Sequence, residues 1–166
     1  MARMRVKGLS EYSQQLNKLY AETEPIIGAS LHEGAGVMAD AVKAAINQIP
    51  IRSPDEIGSS DHMVSGILEI QRIGLEVSFG ITKMQKEPNN YNVKLGFDGY
   101  NRCVTKAFPK GQPNQLIARS IESGTSWLQP CHFLSIAINN NKDNALQRLV
   151  ERFDEEVGKR IDTGGI

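Results

Sequence analysis

The sequence predicts an α+β protein in which a small antiparallel or mixed β-sheet packs against long amphipathic helices, and three observations predict it. Apolar residues recur close to a heptad through Ile27, Leu31, Ala35, Met38, Val42, Ala45 and Ile49, and again on one stripe through Leu146, Leu149, Val150, Phe153, Val157 and Ile161. Tyr91, Val93, Leu95 and Phe97 alternate instead with Asn92, Lys94, Gly96 and Asp98, the two-residue period of a half-buried strand. A strand with one apolar face needs a helix to cover it.

One domain spanning residues 1–166 is expected. A chain of this length buries roughly 70% of its unfolded surface, so neither a metal nor a disulfide is needed to hold it. Lysine plus arginine equals aspartate plus glutamate, 19 of each. That balance points to no nucleic acid or anionic membrane as the main partner, and it tolerates self-association. No run approaches a membrane span, and residues 1–7 lack the apolar core of a signal peptide. A soluble protein made in the cytosol is the expectation. Cys103 and Cys131 have no C-x-x-C or metal-type spacing and are expected to be reduced thiols.

Taken in order, Met4 and Val6 alternate with Arg3, Arg5 and Lys7, which predicts a brief strand or arm over residues 1–7. Leu9, Tyr12, Leu16, Leu19 and Tyr20 follow at three- and four-residue steps, with Ser10 placed to cap them, and predict a first helix. It should end before Pro25, because a proline disfavours helical geometry in its predecessor. Pro25 can itself open the second helix, where its missing N–H has no consequence. Gly28, Gly34 and Gly36 lie inside that helix, and each costs about 1 kcal/mol against alanine, so a close backbone approach or a bend is expected. Gly34-Ala35-Gly36-Val37-Met38-Ala39 also matches the dinucleotide fingerprint G-x-G-x-x-A, but helical periodicity flanks it on both sides and a packed helix is the reading.

Residues 50–61, rich in Pro, Ser, Asp and Gly, read as a mobile loop within the domain. Residues 64–81 stay open on local pattern: Val64, Ile67, Leu68, Leu75 and Phe79 suit a helix, whereas Ile73, Leu75, Val77, Phe79 and Ile81 alternate as in a strand. A turn at Pro88-Asn89-Asn90 precedes the strand over residues 91–97. Residues 98–114 then form a mobile, hairpin-like loop carrying Arg102, Lys106 and Lys110. Residues 145–161 predict a core-facing last helix with a solvated opposite face, followed by a frayed tail over residues 162–166.

No catalytic, cofactor-binding or metal-ligating set can be assembled from local spacing. His32, His62 and His132 are far apart and form no H-x-x-x-H pair. Cys131-His132 could be imagined as nucleophile and base of a cysteine hydrolase, yet adjacent residues rarely face each other. Residues 108–114 lack the phosphate-loop spacing, and after Gly124-Thr125-Ser126 the nucleophile-elbow pattern is broken at Leu128. The three cations of the loop fall short of the basic stripe of a DNA binder and suit a protein neighbour better.

Several long blocks resemble the neck and tail-completion proteins of long-tailed bacteriophages, in particular a branch from phages and prophages of Gram-positive hosts. They are Val6-Lys7-Gly8-Leu9, the second helix ending at Ile49-Pro50, Phe79-Gly80-Ile81 before Met84-Gln85, Tyr91 to Asn101, Pro109 to Arg119, and Ile121-Glu122-Ser123-Gly124-Thr125-Ser126. The resemblance makes Glu122, Gly124, Thr125, Ser126 and Phe133 a structural signature. It implies an α+β fold with helix over residues 64–81, and a non-enzymatic subunit of a ring at the head-tail junction through which DNA passes. The implied partners are further copies of the chain, head-connector and tail-tube or tail-terminator proteins, and phage DNA in transient non-specific contact. No cofactor and no membrane are implied. The implied location is the host cytoplasm during assembly and then the virion. A tail terminator or minor tail protein is the alternative.

The loops over residues 50–61 and 98–114 and the arm over residues 1–7 would be disordered in the monomer and fixed in the virion. Tyr100, Asn101, Arg102, Lys106, Lys110 and Gln112 are the candidate residues facing a neighbouring subunit or DNA. Removing residues 101–112 would then spare the fold. One departure stands out: the family's aromatic-x-R-P-A turn is here Phe133-Leu134-Ser135-Ile136-Ala137. Without the proline the last helix is free to begin earlier, with a break at Asn139-Asn140-Asn141 instead.

Overall fold

The computed structural model describes residues 9–88 and 90–162. The expected arm over residues 1–7, Asn89 of the expected turn and the tail beyond residue 162 lie outside them, as do the side chains of Leu9, Tyr12 and Leu19. Helix α1 (Leu9–Ala21) passes almost unbroken into α2 (Thr23–Gln48), the Glu22 amide donating to the Lys18 carbonyl at 3.0 Å and the Ile26 amide to Glu22 at 3.2 Å. Pro25 stands in the first turn of α2, where its lack of an amide breaks no intrahelical bond. The helix gives way to extended backbone at Ile49, directly before Pro50.

The last helix, α5 (Phe133–Asp162), runs antiparallel to α2, with Arg160 reaching Glu22 at one end and Arg148 reaching Glu33 farther along. Gly34 is a point of close approach, because a Cβ there would stand 2.9 Å from the Ala145 carbonyl oxygen and 3.0 Å from Leu149 Cβ. Gly28 and Gly36 serve no comparable contact: the nearest atom to a Cβ at Gly28 would be Met84 Sδ at 3.4 Å, and Gly36 faces open space. Residues 34–39, which match the dinucleotide fingerprint, are the packed helix expected there, buried at Gly34 and Ala39.

Helix α5 starts at Phe133, twelve residues before residue 145, the earlier beginning that the missing proline left open. The break expected at Asn139-Asn140-Asn141 is corrected: the helix continues through it, and the Asn141 side chain donates to the Ala137 carbonyl at 2.9 Å. With isoleucine instead of proline at position 136, the Ile136 amide is present and donates to the His132 carbonyl at 3.0 Å. Most of the stripe read as core-facing lies outward, since Leu146 is 60%, Val150 48%, Phe153 40% and Ile161 54% exposed. Of that stripe Leu149 faces α2, where it meets Gly34 together with Ala145, and Glu156 is buried on the same helix. Small groups let the two backbones approach, and Glu156 is neutralised in place by Arg152 at 2.9 Å, Lys159 at 3.1 Å and Arg160 at 2.5 Å. Hydrogen bonds from Arg160 and then Lys159 hold its carboxyl at about 2.

Residues 64–81 contain both structures that the pattern left open. Val64 and Ile67 lie in isolated bridges to Leu128 and Ile51, α3 (Glu69–Ser78) begins only after them, and Phe79 opens strand β1 (Phe79–Ile81). The expected strand over residues 91–97 is split into β3 (Asn90–Asn92), which pairs with β2 (Gln85–Glu87), and β4 (Leu95–Phe97), which pairs with β1. Both pairs are antiparallel and together make one hairpin interrupted midway. There Thr82, Lys83 and Met84 oppose only Val93 and Lys94, the extra residue of a bulge. The Thr82 amide donates to the Lys94 carbonyl at 2.8 Å and the Lys94 amide to Thr82 Oγ1 at 3.0 Å, so the ladder's bonds are replaced locally.

The main core gathers at one end of the α2–α5 pair. Val42, Ile46 and Ile49 of α2, Leu75 of α3, Phe79 of β1, Phe133 and Ala137 of α5, and Ile117, Ala118 and Ile121 of α4 (Asn114–Ser123) are all buried there. Each large side chain among them contributes roughly 1.5–3 kcal/mol through burial. Phe79 and Phe97 meet with ring centroids 5.0 Å apart, and Phe133 meets Phe97 at 6.5 Å.

Candidate functional site

The signature residues assemble around the start of α5. Helix α4 stops at Gly124, whose φ of 72° is natural only to glycine and whose absent Cβ would stand 2.9 Å from the Leu128 carbonyl oxygen. Thr125 closes the turn: its amide donates to the Leu128 carbonyl at 2.9 Å, and its hydroxyl accepts from the Trp127 and Leu128 amides at 3.3 and 3.1 Å. The chain doubles back, the Cys131 amide bonding the Ile121 carbonyl at 2.8 Å, and this lays the first turn of α5 beside the last turn of α4.

Glu122 uses that placement. Its carboxylate accepts the Leu134 amide at 2.8 Å, the Ser135 amide at 3.1 Å and the Ser135 hydroxyl. Amides of a helix's first turn have no partner within the helix, so Glu122 caps α5 from another element and puts negative charge at its positive end. Burial alone would raise the Glu122 carboxyl. The Ser135 hydroxyl, the two amides and nearby His132 outweigh it and hold the carboxyl below the usual range. Ser135, standing where the resemblance expects arginine, supplies two of the three donors. Phe133 is buried beside them, while Ser126 is exposed.

The six candidate contact residues separate into two groups. Asn101 is only 2% exposed, so it does not face a neighbour. Its side-chain NH2 donates to the Ile70 and Gln71 carbonyls of α3, both at 3.2 Å, and to Asn114 Oδ1 at 3.4 Å, while its side-chain Oδ1 accepts the Cys103 amide at 3.0 Å. Asn114 in turn donates to the Asp98 carbonyl at 2.9 Å. Gln112 is half-buried, bonding Gln71 at 3.2 Å through its side chain and the Asn101 amide at 2.7 Å through its carbonyl. These two residues therefore anchor the loop over residues 98–114 to α3 and α4. Gly74 makes room for the anchor, since a Cβ there would fall 2.0 Å from Asn101 Nδ2. Tyr100, Arg102, Lys106 and Lys110 are exposed, and among the described residues the three cations have no ion-pair partner.

Beside the capped start of α5 opens a cavity of about 550 Å³, walled by Val42, Phe79, Leu95, Phe97 and Leu134, with Arg119 at its edge. Among the described residues no group of three or more His, Cys, Asp or Glu is placed to hold a metal. Cys103 and Cys131 are free thiols. Burial, and then Glu122, push the Cys131 thiol up, away from the thiolate that a nucleophile requires.

Sequence reasoning does not reach Gln71, Gly74, Asn114 or Arg119. A glycine inside an amphipathic helix is the one local signal that marks the Asn101 anchor. No helix among the described residues is long and apolar enough to cross a membrane. No family model, curated protein or solved structure matches the chain.

Proposed function

We propose that the chain is a non-enzymatic structural subunit of a long-tailed phage or prophage, forming a ring at the head-tail junction as a neck or tail-completion protein through which DNA passes. The observation that carries this reading is the outward apolar stripe of α5, Leu146, Val150, Phe153 and Ile161. A row of large apolar side chains along one helix face marks an interaction surface, and a ring needs such surfaces left open in the subunit. The anchored loop adds exposed Tyr100 and Val104 with three cations that have no ion-pair partner among the described residues, a composition suited to a protein neighbour and to passing contact with phosphates.

The test is to locate tagged protein on particles of the parent phage by electron microscopy, beside a mutant lacking the protein. Label at the head-tail junction, with separate full heads and tails in the mutant, is expected. Label at the distal end of the tail tube would mark a minor tail protein, and intact unlabelled virions would overturn the proposal. A companion variant should carry Tyr100→Ala, Arg102→Ala, Lys106→Ala and Lys110→Ala and leave Asn101 and Gln112 in place. Removing residues 101–112 would also take out the buried anchor, so loss of joining could not be separated from loss of fold.

A further inference from the structure

We propose that the loop over residues 50–61 of one copy docks into the Phe79–Phe97 cavity of the next, Ile57 filling the cavity while Asp55 and Glu56 meet Arg119. The inference rests on the ring reading above and names one of its contacts. Ile57 is 81% exposed and follows two exposed acids in the sequence Asp55-Glu56-Ile57-Gly58. Among the described residues none of these carboxylates has an ion-pair partner, and neither does Arg119. Glu122 on the same cavity wall spends both oxygens on the α5 terminus, which leaves Arg119 as the uncommitted charge at the edge. An apolar knob behind two acids thus has a complement in an apolar hole beside a cation.

Geometry directs the contact outward. Gln115, Ala118, Arg119 and Glu122 of α4 line the cavity, whereas Leu116, Ile117, Ser120 and Ile121 line a groove on the opposite face together with Arg52 and Trp127. The loop sits on that second face, held where a Cβ on Gly58 would stand 2.3 Å from the Trp127 carbonyl oxygen and where the Arg52 amide meets the Ile67 carbonyl at 2.9 Å. Knob and hole thus lie on opposite sides of α4. The loop cannot reach its own cavity without leaving these anchors. Two complementary patches on opposite sides of one subunit make a heterologous contact, the kind that closes into a ring when the rotation between copies allows.

The full chain with a photo-cross-linking residue at position 57 would be irradiated over a range of concentrations, with solution mass followed by light scattering. Cross-links from position 57 to β4 or α4 of a second copy are expected. Arg119→Glu should weaken self-association by about tenfold or more. Adding Asp55→Arg and Glu56→Arg to the same chain should restore it, a rescue that misfolding would not show. Oligomers without this cross-link, or without rescue, overturn the docking contact while leaving the ring reading in place. A chain that stays monomeric at every concentration overturns the contact, whereas the ring reading stands or falls on the labelled particles described above.

Discussion

Replacing Glu122 tests whether α5 is held from its first turn. Glu122→Ala removes an acceptor shared by two backbone amides and a hydroxyl. A helix cap contributes about 0.5–2 kcal/mol, and a carboxylate at the positive helix end about 0.3–1 kcal/mol more. Because Glu122 serves two amides from a half-buried position, the loss should fall at the upper end, about 2–3 kcal/mol. For a chain of this size each kcal/mol moves the midpoint by about 2–4 °C, so a decrease of roughly 4–12 °C is expected in a thermal melt at pH 7. Glu122→Gln keeps one acceptor oxygen without the charge and should lose about 1 kcal/mol.

The pH dependence separates these effects. Since the folded carboxyl titrates below its usual value, its contribution is complete above the unfolded value of about 4.3. It disappears as pH falls through the lower folded value. The gap between wild type and Glu122→Gln in urea midpoint should therefore close over that acid window. An unchanged midpoint for Glu122→Ala at pH 7, or a gap to Glu122→Gln that persists below the window, would refute remote capping.

Other outcomes follow from the same contacts. Gly34→Ala should destabilise the fold despite gaining about 1 kcal/mol of helix propensity, because the added Cβ meets the Ala145 carbonyl; a raised urea midpoint would mean the helices can separate freely. Asn101→Ala leaves buried polar partners unsatisfied and should cost about 1–3 kcal/mol, with faster hydrogen exchange at Cys103, whose amide it accepts. Glu156, held at about 2, supports the fold fully above the ordinary carboxyl range and loses that support progressively as pH falls from there through about 2, so Glu156→Gln should flatten the acid unfolding curve over that window. The raised Cys131 thiol should alkylate more slowly than a free cysteine at neutral pH, read by mass spectrometry of the modified peptide.

The two long helices and their helical character were legible because their apolar spacing is local. The inward face of α2 was legible too, in Val42 and Ile49, but that of α5 was not. The rule that the most apolar stripe faces inward fails for Leu146 and Val150 because Gly34 of α2 lets the Ala145 and Leu149 side of α5 come close instead. The continuous alternation over residues 91–97 concealed a bulge, which depends on the opposing strand's having one residue more. At the candidate site, Gly124 and Thr125 were readable as a turn, but the role of Glu122 depends on the Leu134 amide in a helix start twelve residues along the chain, brought back beside it by that turn. Asn101, placed in a polar loop, carries no local mark of burial; its partners come from α3 and α4.

Helix α2, about 39 Å long at 26 residues, is stabilised differently at its two ends. Near Gln48 it is wedged into aliphatic and aromatic neighbours, a grip that added salt does not loosen. Near Thr23 the links to α5 include the pairs Glu22–Arg160 and Glu33–Arg148, which mobile ions screen. A single continuous helix should therefore show a gradient of amide protection that steepens with ionic strength, one end keeping its protons while the other releases them. Such a molecule is a stiff socket with an adjustable handle, and salt is the hand that turns it.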